Sequence, residues 1–157
     1  MTIMLYLVSQ SDLFFANQPD EQIDHWFLGA DCAGWLYARL LPHPQIKEYC
    51  GPVMEDWGWY LEVEVSPVRV ELCLYHFSDP GVGDYWILIV SPKNKIFRKH
   101  SAASMNRAAG VVRDVLTEIV AQSPLFNRYA WVEQSPFEVS LSKITVDWIE
   151  SVDRSGE

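Results

Sequence analysis

From Trp57 onward the chain alternates. Trp57, Trp59, Leu61, Val63 and Val65 fall on odd positions, and Gly58, Tyr60, Glu62 and Glu64 fall between them. Successive side chains of an extended chain point to opposite faces, so this pattern predicts a strand with one buried and one wet face. After Ser66-Pro67 the alternation resumes. Val68, Val70, Leu72 and Leu74 take one face, and Arg69, Glu71, Cys73 and Tyr75 take the other. Two such runs around a short break predict an antiparallel hairpin. Parity turns Trp57 and Trp59 inward and sends Tyr60, Glu62, Glu64 and Glu71 to water. Gly58 leaves room for a close neighbour.

The apolar side of that ribbon needs a covering layer, and the rest of the chain offers one. "YWILIV" is a continuous apolar run and reads as a central strand covered on both faces. "IMLYLV" near the start reads as a buried strand, and "IFRKH" and "YAWVE" as shorter ones. "PQIKEYCG" is a short piece ending at Gly51, and "SDPGVGD" is a loop by composition. "FEVSLSKITVDWIE" fits a strand or a short helix equally. From Ser101 the period changes. Met105, Ala108, Ala109, Val112, Leu116, Ile119 and Val120 follow helical spacing, with Arg107, Arg113, Asp114 and Glu118 facing away and Ser123-Pro124 as the stop. Asp31 is the expected cap of a shorter helix through "CAGWLYARLL", which Pro42 and Pro44 end.

The expected fold is therefore α+β: an antiparallel sheet of about 4–6 strands with helices packed on it. The long helix covers about 101–122 and the shorter one about 31–41. At 157 residues the chain has the size of one domain, taken as 1–157 with a frayed tail from about 151.

Charge narrows the function classes. The chain carries a net −9, unevenly spread: −10 over residues 1–84, +5 over 85–130 and −4 over 131–157. An acidic surface steers basic partners and opposes unselective nucleic-acid binding. No apolar run approaches the ~20 residues that span a bilayer, and the start lacks a basic n-region, so a soluble, cytoplasmic protein is expected. Cys32, Cys50 and Cys73 are odd in number and far apart, which speaks against a disulfide framework or zinc knuckle and suits a reducing compartment. The best-marked nucleotide-binding, serine-hydrolase and zinc-protease motifs are missing. No metal site and no cofactor is expected.

"EDWGWYLEV", the strand after it and "GDYWILIV" resemble the paired strands of small uncharacterised bacterial proteins and of some toxin-immunity proteins. The likeness covers Glu55 to Val90, rests on aromatic packing, and transfers no functional residue.

Three functional readings follow. The first is a non-catalytic acidic protein that binds another protein with a basic surface, as an immunity-type inhibitor of a basic toxin or an accessory subunit. Its contact residues would be Tyr60, Glu62, Glu64 and Glu71, an aromatic flanked by charges. The alternative is a small enzyme with an unmarked site at Glu55, Asp56, His76 and Asp84, where carboxylates and an imidazole would share acid–base work. The third is a single-stranded nucleic-acid binder using residues 93–99, in which Lys93, Lys95, Arg98 and Lys99 surround Phe97.

Overall fold

The computed structural model describes residues 4–11, 30–79, 81–94, 99–123 and 125–150. The strands are β1 (Leu5–Gln10), β2 (Lys47–Glu55), β3 (Gly58–Val65), β4 (Val68–Asp79), β5 (Gly83–Lys93), β6 (Arg128–Val132) and β7 (Ile149–Glu150). The helices are α1 (Ala30–Leu40) and α2 (Ala102–Gln122), and a short 3-10 turn covers Leu141–Lys143. All seven strands join one antiparallel sheet in the order β2-β3-β4-β5-β1-β6-β7. The α+β architecture is as expected, and the sheet is wider than the four to six strands foreseen.

The two predicted alternating runs are β3 and β4, paired from Trp59↔Leu74 to Val65↔Val68 across Ser66-Pro67, whose peptide bond is cis. Leu61, Val63, Val65, Val70, Leu72 and Leu74 form one buried face with Leu88 and Val90 of β5. α1 and α2 seal that face. The buried stripe of α2 is Met105, Ala108, Ala109, Val112, Leu116 and Val120, as the spacing predicts, with Val115 added and Ile119 only half-buried. The small Ala108 and Ala109 side chains let the helix lie close to the sheet. Ser101 caps α2, its hydroxyl accepting the Ser104 N–H at 3.1 Å.

The departures have local causes. "PQIKEYCG" enters a full edge strand, β2, which runs on through Met54 and Glu55. Two register irregularities, at Glu48/Cys50 and Cys50/Val53, blur its alternation, and Pro52 lies beside the second. Bulges and proline are common on exposed edges, where they discourage pairing with another chain. β5 continues past "YWILIV" through Ser91-Pro92 to Lys93. Its last rung with β1 is Leu5↔Val90, so Pro92 lies where the strand has lost that neighbour and a missing N–H is tolerated. Asp31, expected to cap α1, lies inside the helix. Lys95, the 96–98 part of "IFRKH" and the tail from 151 lie outside the described residues.

"FEVSLSKITVDWIE" is neither a strand nor an α-helix along its length. It forms turns, the 3-10 turn and the two-residue β7. Its role is packing: Leu141 is buried, and Val146 and Trp148 lie against a second apolar cluster of Val8, Tyr85, Ile87, Ala130 and Val132. This cluster lies on the sheet face opposite the helices, because Leu7, Leu88 and Leu74, each one step from Val8, Ile87 and Tyr75, belong to the helix-side core. A wet second face was expected; half of it is covered by the chain's own 133–150 segment.

Candidate functional site

The other half of that face, on β2–β5, carries the functional groups. Register places Val53, Tyr60, Cys73 and Ile89 in one row across four strands. Glu62, Glu71 and Ser91 form the next row, and Glu64, Arg69 and Lys93 the one after. The sequence parity of Tyr60, Glu62, Glu64 and Glu71 is thus correct. Their expected exposure is not uniform.

Glu62, expected in water, is 3% exposed. Its neighbours cover it and neutralise it. The Tyr60 hydroxyl donates to Glu62 Oε2 at 2.6 Å and lies 3.3 Å from Glu71 Oε1. Lys93 Nζ is 2.9 Å from Glu71 Oε1 and 3.8 Å from Glu62 Oε2. Arg69 Nε is 3.7 Å from Glu62 Oε1, and the Arg69 guanidinium donates to the Tyr49 hydroxyl with its Cζ 4.6 Å from the centre of that ring. Two carboxylates and two cations balance within this network, and Glu64 stands on the same face as a further carboxylate. Sequence reading missed Arg69 and Lys93 as its members, although the odd parity of Arg69 on β4 already put it beside Glu71.

Burial and the nearby carboxylates push the Tyr60 phenol far above its usual range. Burial, aided by Glu71 and Glu55, pushes the Cys73 thiol up to about 12. A thiol so raised is protonated at neutral pH and is a poor nucleophile. The Lys93 ammonium is held above its usual value, first by its hydrogen bond to Glu71.

Beside this network stands a group of rings. The Trp57 indole stacks on Tyr75 with centroids 4.7 Å apart and planes at 27°. Phe137 meets Tyr75 edge-on at 4.8 Å and Phe77 at 5.3 Å. Trp57 is 37% exposed and Phe137 41%. Parity predicted Trp57 inward beside Trp59, and this is corrected. Trp59 is half-buried against the helix-side core, whereas Trp57 lies on the opposite face. The cause is the hairpin: Glu55 pairs with Gly58, so Asp56-Trp57 is the turn between β2 and β3, and alternation does not extend through a turn. Gly58 has φ +157°, and a Cβ there would fall 2.2 Å from the Leu74 carbonyl oxygen, so the close approach foreseen for it is real.

Of the alternative catalytic set, His76 and Asp84 are neighbours. Glu55 and Asp56 are exposed at the β2–β3 turn. His76 faces the helix side, edge-on to Trp86 with centroids 4.9 Å apart. Its Nε2 is 3.9 Å from Asp84 Oδ1, an ion-pair distance beyond hydrogen-bond reach. Asp79, in the same loop region, serves structure. Its Oδ1 accepts the Gly81 N–H at 2.8 Å, and its Oδ2 accepts the Ser140 hydroxyl at 2.5 Å. Those bonds, Ser140's first, lower its carboxyl below the usual range and tie the 133–150 segment to the β4–β5 loop. A cavity of about 540 Å³ lies between the helices, walled by Trp35, Arg39, His43, Ile119 and Glu118, and none of the sequence-predicted site residues lines it. Of the basic stretch 93–99, Lys93 is engaged with Glu71. Among the described residues, no group of three or more His, Cys, Asp or Glu side chains could hold a metal ion. Among them, too, no helix is long and apolar enough to cross a membrane.

No protein-family model, curated protein or solved structure matches this chain. The functional reading rests on the geometry.

Proposed function

We propose that this chain works by binding another protein through the sheet face turned away from its helices, and that it does so in the cytoplasm. The observation that carries the reading is the exposed Trp57–Phe137 ring group on a face whose other half the chain covers itself. Aromatic residues are enriched at protein interfaces, and Trp and Tyr are prominent among the few residues that carry most of the binding energy once the complex covers them. The three free cysteines suit a reducing compartment. An immunity-type inhibitor of a basic toxin and an accessory subunit are both forms of this reading.

The contact surface differs from the one parity suggests. Glu62 and Glu71 already hold Lys93 and Arg69, so their charges are spent within the protein. Trp57 and Phe137 take the centre, with Tyr60, Glu64 and Glu71 at the margin. The test is affinity capture from extracts of the native host, at low and high salt, with the wild type beside a Trp57→Ser/Phe137→Ser double variant. A protein retained by the wild type and lost from the folded variant is the expected result. Equal retention by both moves the contact to another face, and retention by neither ends the reading.

A further inference from the structure

We propose that the Trp57–Tyr75–Phe137 group receives a cationic side chain, arginine or lysine, from a basic segment of the partner protein. The inference rests on the preceding reading and names what the partner presents. Three observations lead to it.

The first is ring geometry. Tyr75 covers one face of the Trp57 indole, and Phe137 stands edge-on to Tyr75. Trp57 and Phe137 keep over a third of their surface in water. An indole face is the best of the aromatic seats for a cation, and the attraction grows when the pair is partly desolvated.

The second is charge. Glu55 and Asp56 directly precede Trp57, Glu138 directly follows Phe137, and all three are exposed. The stretches that build the patch, residues 48–68, 70–92 and 129–142, contain no Lys or Arg. On this face Arg69 and Lys93 are tied to Glu62 and Glu71. Among the described residues, the carboxylates that border the ring group make no ion pair, on a chain of net charge −9.

The third is what the chain does with its other rings. Arg39 sits 4.5 Å over Trp35, Arg69 sits 4.6 Å over Tyr49, and Arg128 sits 4.1 Å over Trp148. Trp57 has no such cation among the described residues. An incoming guanidinium would reproduce at Trp57 the contact that these three arginines make internally, with Glu55, Asp56 or Glu138 as its counter-ion.

The experiment is a titration of the full chain with a hexa-arginine peptide at physiological salt. A hexa-citrulline peptide, nearly the same shape without the charge, is the control. The readout is the indole N–H resonance of Trp57, assigned by its disappearance in Trp57→Leu. The expected result is a saturable shift of that resonance with arginine and none with citrulline. Trp57→Leu should bind the arginine peptide about tenfold more weakly. A Glu55→Gln/Asp56→Asn variant, which leaves the rings in place, should also weaken it. Equal shifts with citrulline would show an apolar contact in place of a cation seat and overturn the inference. So would arginine-induced shifts confined to other acidic surfaces. If either happens while the Trp57→Ser/Phe137→Ser variant still loses the captured protein, the face reading survives and only its cationic form is lost.

Discussion

The two faces of the sheet solve the same problem differently. Under α1 and α2 the face is mainly aliphatic, with Trp59 and Trp86 among its rings: Leu61, Val63, Val70, Leu72, Leu74 and Val90 meet a stripe of Ala, Val, Leu and Met. On the other side, residues one position away are Tyr60, Glu62, Glu71, Cys73 and Tyr75. That face is closed over β1, β5 and β6 by the 133–150 segment and left uneven over β2–β4. Burial on the first face stabilises without specifying a contact. Burial on the second is achieved by charge pairing and ring stacking, which hold side chains in set positions at a surface. The lesson is that a residue can be hidden on a face that no helix covers, as Glu62 is.

The sharpest way to break this contrast is to remove adjacent residues from opposite faces. Leu61→Ala should destabilise by about 2–5 kcal/mol, the transfer and cavity cost of a buried leucine. Glu62→Ala should cost about 2–3 kcal/mol, because it leaves Arg69 and Lys93 without their shared carboxylate. This is below the ~3–5 kcal/mol of a fully buried pair, since both cations keep some water. Urea unfolding of the two variants measures both. A cost for Glu62→Ala within about 0.5 kcal/mol of zero would make the network an ordinary solvated surface.

High pH should weaken both faces through their neutral buried groups. Burial lifts the Tyr37 phenol, on the helix side, from 10.0 to about 12, and the Cys73 thiol, on the other side, from 9.0 to about 12. A folded-state value above the unfolded one means the contribution is whole below the unfolded value and is lost as pH climbs through the folded one. Stability should therefore fall between pH 9.0 and about 12, with the thiol's share going first. Tyr37→Phe and Cys73→Ala should each flatten that fall in urea midpoints taken across the range. An unchanged slope in both would contradict the burial of these groups.

The smallest expected effect is a gain. Gly110 lies inside α2, and a Cβ added there meets nothing within 4 Å. Gly110→Ala should stabilise by about 1 kcal/mol, read as a higher thermal midpoint. Such a change on the helix face should leave partner binding untouched, which sharpens the division of labour between the faces.

The sequence made one face far more legible than the other. Long, regular alternation and a clean helical stripe disclosed β3, β4 and α2, because each buries a continuous apolar set whose spacing survives in the chain. β2 was hidden by its register irregularities and Pro52, and the 133–150 segment by its lack of any period. The parity of Tyr60, Glu62, Glu64 and Glu71 was readable, yet the burial of Glu62 was not, because it depends on Arg69 and Lys93 from neighbouring strands. Trp57 was misassigned for a related reason: only strand pairing reveals that the turn falls on Asp56-Trp57. The ring group unites residues 57, 75, 77 and 137, and nothing local in the chain links the last to the others.

The most direct test of the account is photo-crosslinking in living cells. Benzoylphenylalanine would replace Phe137 on the proposed contact face in one variant and the exposed Arg113 on the outer side of α2 in another. Protein adducts at position 137 and none at 113 are the predicted result. Adducts at 113 alone would contradict the claim that the face away from the helices is where this protein meets its partner.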